Sequence, residues 1–177
     1  LYLPRAAWRG TSPPRPVATE PLAQCSRRTP LVISEIMYRP PSLPLCANRV
    51  RLEYLELFNS RGEPEDLSGF RLSGAIDYVF PPGTVIPGGG FVVVARAPAL
   101  MQAAYGLESV LGPWSGAETN GLPNDAGTIR LRHRTGAVFL EIHYSSQPPW
   151  PIAADGAGHS LVLARPSFGE GDPRAWA

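Results

Sequence analysis

Arg130, Arg132 and Arg134 stand at alternate positions, and of all the residues in this chain their types and spacing come nearest to chemistry. Side chains two apart on a strand share one face. The three therefore form a one-sided cationic row of the kind that contacts phosphate or an acidic glycan. The competing reading is a solvated sheet face on which Glu141, across the next turn, acts as a cross-strand partner. His143 falls on the same face as Arg130 and Arg132. Trp114 lies in a long loop and offers an indole of the kind that stacks on sugar rings or grips a partner. Trp150, beside Pro149 and Pro151, reads instead as a plug for one end of the fold. Together Trp114, Arg130, Arg132 and His143 make the candidate ligand surface, a shallow one rather than a pocket.

Other chemistries lack their residues. His133, His143 and His159 form no HxH, HxxxH or HExxH arrangement, so they suggest no metal site. Asp155-Gly156-Ala157-Gly158 could donate oxygens to Ca²⁺ with Asp172 or Asn124-Asp125. It lacks EF-hand spacing and a nonapeptide repeat, however, and reads rather as a tight turn with glycine at positive φ. Gly88-Gly89-Gly90 is followed by a strand and by no Lys-Ser or Lys-Thr, which marks a hairpin turn rather than a phosphate loop. Glu53 and Glu56 fall on opposite faces of a strand and cannot serve one substrate as a carboxylate pair. No GxSxG elbow is present. No catalytic residue, metal or cofactor is assigned, and the chain is expected not to be an enzyme. Cys25 and Cys46 have neither CxxC spacing nor enough companions for structural zinc. They are either a disulfide stapling the N-terminal segment to the first long loop or two free thiols.

The elements that position these residues are strands. Alternating or continuous apolar runs predict strands over 31–37, 52–59, 70–73, 77–80, 91–95, 128–133, 138–144 and 160–164. In the 52–59 strand, Leu55 and Leu57 alternate with Tyr54, Glu56 and Phe58, the pattern of a strand that buries one face. Arg134 to Ala137 joins two strands as a hairpin. Ile129 and Leu131 are expected to face the core with Val138, Leu140, Ile142 and Tyr144. Thr128, Arg130 and Arg132 then face outward with Phe139, Glu141 and His143. Ile33, Leu55, Leu57, Val93, Ile129, Leu131, Leu140, Ile142 and Leu161 should share one core. One helix is predicted over 98–105, with Pro98 in its first turn, Gly106 past its end, and Leu100, Met101 and Ala104 on its inner face. The long connection 107–126, rich in Gly, Pro and Asn, is a further candidate for contact with a partner.

Composition bounds the rest. The chain has 177 residues, with 18 Gly and 21 Pro falling mostly between the apolar runs, the punctuation of many short strands. Residues 1–30 hold five Arg, one acid and six Pro and read as a Pro/Arg-rich linker or tail; residues 31–177 form the domain. The domain holds eleven Arg against fourteen acids, so a nucleic-acid partner is disfavoured. Lys is absent. No apolar run approaches the ~20 residues of a membrane span. The sequence reads as part of a longer protein, so the lack of a recognisable signal peptide says nothing about compartment.

Several segments in order carry a family resemblance. Leu31-Val32-Ile33-Ser34-Glu35-Ile36-Met37-Tyr38 comes first. It is followed by Glu53-Tyr54-Leu55-Glu56-Leu57-Phe58-Asn59 and Asp66-Leu67-Ser68-Gly69-Phe70-Arg71-Leu72-Ser73. The run from Asp77 to Ala95, then Thr128-Ile129-Arg130-Leu131, Trp150-Pro151 and the segment from Asp155 to Trp176 complete the set. The chain thereby resembles the lamin-tail domain family in its bacterial secreted form, from about residue 31 to 177. It departs from the pattern in the Cys-bearing loop between Pro40 and Arg51 and in its N-terminal segment. The resemblance implies an all-β, immunoglobulin-like antiparallel β-sandwich with one short helix. It further implies a non-catalytic binding, adhesion or anchoring module of a larger secreted or surface-attached bacterial multidomain protein. The implied location is extracellular or at the cell surface, and the implied partners are a glycan or protein ligand and other domains of the same chain. The alternatives are a structural spacer without a ligand and an accessory domain of an extracellular hydrolase. No heptad repeat is present, which disfavours an intermediate-filament protein.

Overall fold

A computed structural model describes residues 19–26, 28–40, 52–116 and 121–177. The alternating and β-branched runs become strands β1 (Leu31–Met37), β2 (Tyr54–Asn59), β3 (Glu65–Asp66), β4 (Arg71–Gly74), β5 (Ile76–Val79), β6 (Val85–Ile86) and β7 (Phe91–Ala95). Helix α1 (Pro98–Tyr105) follows, then β8 (Ser115–Gly116), β9 (Ala126–Arg132), β10 (Val138–Ser145) and β11 (Leu161–Val162). One sheet has the order β11-β1-β2-β7 and the other β10-β9-β4-β5-β8, with β3 and β6 a separate ribbon. All strand pairings between these elements are antiparallel. The architecture is an immunoglobulin-like β-sandwich.

The inner faces of the two sheets meet in one core. Ile33, Leu55, Leu57 and Leu161 from the four-stranded sheet pack in the same cluster as Leu72, Ile129, Leu131, Leu140 and Ile142 from the five-stranded one. Val93 does not join them. It points to the opposite face and belongs to a second cluster with Met37, Tyr54, Ala95 and Met101. Helix α1 makes this second cluster possible. It covers the outer face of the four-stranded sheet with Met101, assisted by Leu100 and Tyr105, while Ala104 is exposed. The single-faced reading of β2 is corrected accordingly: five of its six residues are buried, Glu56 among them.

The hairpin β9–β10 holds a second correction. The pairing is regular from Leu140–Leu131 to Ser145–Ala126, but the register slips between Val138 and Leu140. A bulge of one residue reverses the facing of every side chain beyond it. Val138 therefore stands opposite Arg132, and Phe139 turns toward the core, where its ring lies at 5.8 Å from Phe70 and 5.2 Å from His133. The strands β3, β6 and β8 are not legible in the sequence because each has only two residues.

Residues 19–26 and 28–30, read from sequence as linker, lie against the sandwich. Glu20 N donates to Ala164 O and its carboxylate accepts from Ser167 N and Oγ. Leu22 and Cys25 pack on the main core, and Thr29 and Pro30 are buried.

Candidate ligand surface

The outer face of the five-stranded sheet holds Arg130 and Arg132 of the predicted cationic row, whereas Arg134 falls in the exposed β9–β10 turn, because β9 ends at Arg132. Register sets its geometry: Arg71 stands directly opposite Arg132, Ser73 opposite Arg130, Glu141 opposite Arg130, and His143 opposite Thr128. Two guanidiniums on directly opposed positions repel at close range, so their partners matter. Arg71 donates from Nε to Asp77 Oδ1 at 2.8 Å and makes a second bond to Asp77 Oδ2. Arg130 pairs with Glu141, the cross-strand neutralisation that the sequence offered as the plain alternative. Arg132 meets no carboxylate among the described residues. Its Nε donates to Ser73 Oγ and its Nη1 to Gly136 O, both at 3.0 Å. It is thus a pinned, directionally bonded cation with no acidic partner among the described residues.

His143 completes the row from β10. Its Nδ1 lies 2.9 Å from Thr128 Oγ1 and its Nε2 3.0 Å from Glu141 Oε1. Glu141 therefore bridges Arg130 and His143, and the bonds from Arg130 first and His143 second hold its carboxyl below the usual range. Arg71 likewise lowers the Asp77 carboxyl. The face is flat, polar and salt-linked. It suits an extended partner.

Trp114 is not part of it. The indole is buried, only 6% exposed, within the main core cluster. The strand-like step into β8 carries its ring inward, where burial of a large apolar body outweighs display in a loop. Its loop is also less open than predicted. Leu107 and Leu122 are buried, and Leu111 exchanges backbone bonds with Val93 and Ala95 of β7. Residues 117–120 lie outside the described residues.

The remaining candidates are dispersed. Asp155 pairs with Arg39 at 2.5 Å, Asp172 with Arg174 at 2.6 Å, and Asp125 Oδ1 accepts from Ala126 N. The acids considered for calcium are thus each engaged elsewhere. Gly156 and Gly158 do take positive φ, 82° and 94°. Cys25 carries a free, half-buried thiol, pushed up to about 12 by burial. Its conjectured partner Cys46 lies outside the described residues. Among the described residues no group of three or more His, Cys, Asp or Glu could hold a metal ion.

Sequence reasoning missed the buried acids. Glu35 and Glu56 stand opposite each other on β1 and β2, both fully buried. Tyr54 Oη (2.5 Å) and Ser160 Oγ donate to Glu35 Oε1, and Ser34 Oγ donates to Glu56 Oε1 at 2.8 Å. Glu53 is buried too, its Oε2 accepting from Leu122 N at 2.8 Å and its Oε1 lying 3.9 Å from Arg96 Nη1. The available signal was the amphipathic helix. A helix with an apolar face must cover something, and here it covers the outer face on which Glu35 and Glu56 sit.

The fold and its polar outer face define the class of the protein as a two-sheet antiparallel β-sandwich module. The chain belongs to the Lamin Tail Domain family, whose model matches residues 25–146, more than half of its length. No curated protein matches the chain significantly. The family is a non-catalytic one, and membership makes this chain a binding or adhesion module. No helix among the described residues is long and apolar enough to cross a membrane.

Proposed function

We propose that this domain acts outside the cell, as a binding or anchoring module of a larger secreted or surface-attached bacterial protein. Its contact surface is the outer face of the five-stranded sheet. The observation that supports this reading is Arg132. It stands directly opposite Arg71, lacks a carboxylate partner among the described residues, and is held in place by Ser73 and Gly136. Arg71 is already paired with Asp77, so an anion docked on this face gains its charge-assisted contact chiefly from Arg132. The matching partner is extended, shallow and anionic, and an acidic glycan satisfies all three requirements.

The test uses chondroitin sulfate as the probe. Wild-type protein binds it weakly and in a salt-dependent manner, since exposed charges are screened within about 8 Å at physiological ionic strength. Arg132→Ala keeps the melting curve and lowers affinity roughly fivefold to tenfold, about the worth of one charge-assisted contact. Unchanged affinity in Arg132→Ala and in Arg71→Ala would remove this face from consideration. If a full set of acidic and neutral glycans gave no binding, the domain would be a spacer.

A further inference from the structure

The edges of the two sheets are not equally protected. On the four-stranded sheet, Val162 of β11 exchanges two backbone hydrogen bonds with Ala177, both at 2.9 Å, and β7 is covered by Leu111. One edge of the five-stranded sheet is β8, only two residues long. The other is β10, eight residues long. Side chains occupy the start of its outer edge: Ser26 Oγ donates to Phe139 O at 3.2 Å and Arg28 Nη1 to Val138 O at 3.0 Å. From Leu140 to Ser145, β9 is the only backbone partner of β10 among the described residues. An edge strand directs half of its N–H and C=O groups away from the sheet, where they template another strand.

A shallow open groove runs beside this edge. Ser26, Arg28, Phe139, Leu140, Glu141 and Glu170 line it. Glu170 is half-buried and forms no ion pair among the described residues, whereas Glu141 is already held by Arg130 and His143. Burial raises the Glu170 carboxyl.

We propose that the edge of β10 from Leu140 to Ser145, unpaired among the described residues, is a peptide-binding site, which takes an extended polypeptide segment by antiparallel or parallel strand addition and places a cationic side chain of that segment against Glu170. Backbone bonds along Leu140 to Ser145 supply sequence-tolerant affinity, and the Glu170 side of the groove supplies selectivity for Arg or Lys. The bulge at Val138 and the bonds from Ser26 and Arg28 close the upstream end and so set where the incoming strand begins. The site is separate from the outer face and requires no glycan.

The experiment uses the 177-residue protein and three synthetic octapeptides of alternating Val and Thr. The first carries a central Arg, the second has norleucine in its place, and the third is the Arg peptide N-methylated at alternate residues. NMR-detected amide exchange should slow at least about tenfold within residues 140–145 on adding the Arg peptide. N-methylation, which deletes half of the peptide's donors and leaves the protein unaltered, should abolish the effect. Glu170→Gln should weaken the Arg peptide roughly tenfold and leave the norleucine peptide unchanged, the signature of one partly buried charge pair. Equal binding of the N-methylated peptide, protection confined to other strands, or no response to Glu170→Gln would overturn the proposal. So would a concentration-dependent dimer protecting the same amides without peptide, which would give the edge to a second copy of the chain.

Discussion

Replacing Glu53 by Gln should remove a pH dependence from the stability of this domain. The Glu53 side chain is 3% exposed, and burial pushes its carboxyl up to about 7, against the opposing pull of the Leu122 N–H and then Arg96. An unfolded glutamate titrates near its ordinary value of 4.5. Between those two values the native state holds a proton that the unfolded chain releases, so stability falls as pH rises. The Glu53 contribution is fully present below about pH 4.5, declines through pH 7 and is then lost. At about 1.36 kcal/mol per pKa unit, the whole span is worth roughly 3 kcal/mol. Urea unfolding of wild type and Glu53→Gln at pH 5, 6, 7 and 8 isolates the effect, since every other group cancels in the difference. Gln preserves the acceptor for Leu122 N and carries no charge. The variant should therefore gain on the wild type from pH 5 to pH 7, with the difference levelling off by pH 8. A difference that stays constant from pH 5 to pH 8 would mean that Arg96 keeps Glu53 ionised throughout, and the balance argued here would be wrong.

Two further substitutions probe the packing. Trp114→Ala should cost roughly 3–5 kcal/mol in urea unfolding, because the ring is in the core; a loss below about 1 kcal/mol would return Trp114 to the surface. Gly74 has a φ of 108°, and a Cβ there would stand 2.2 Å from Thr128 O of the neighbouring strand. Gly74→Ala should therefore cost at least about 1–3 kcal/mol and weaken amide protection along β4 and β9; wild-type stability would show that the strands are less tightly apposed.

Strand positions and the helix were legible because each rests on local pattern. The runs at residues 31–37 and 91–95 and the helix at 98–105 match the observed elements end to end. The inward set of β9 and the outward Arg130, Arg132 and His143 followed from alternation. What failed depended on facts that alternation does not encode. The bulge after Val138 changes phase without any glycine to announce it. Glu56 and Val93 are buried on a second face, which helix α1, close to Val93 in sequence but far from Glu56, covers. Trp114 was assigned to solvent on the strength of its loop, yet burial follows from what a residue packs against, and the loop folds back on β7. Within the candidate surface, the residue types were readable, but their pairing was not. Only the register brings Arg71 opposite Arg132 and leaves the latter without an acid among the described residues.

The two sheets also differ in how freely their sequences can drift. In β1 and β2 both faces are packed, so almost any replacement disturbs either the inter-sheet core or the layer beneath α1. The five-stranded sheet spends only one face on the core. Its outer positions, among them Arg71, Ser73, Arg130, Arg132, Glu141 and His143, can change in type without a cavity forming or a strand shifting. New recognition properties can therefore accumulate on one sheet while the other preserves the scaffold, and a domain so divided is easily redeployed against different partners.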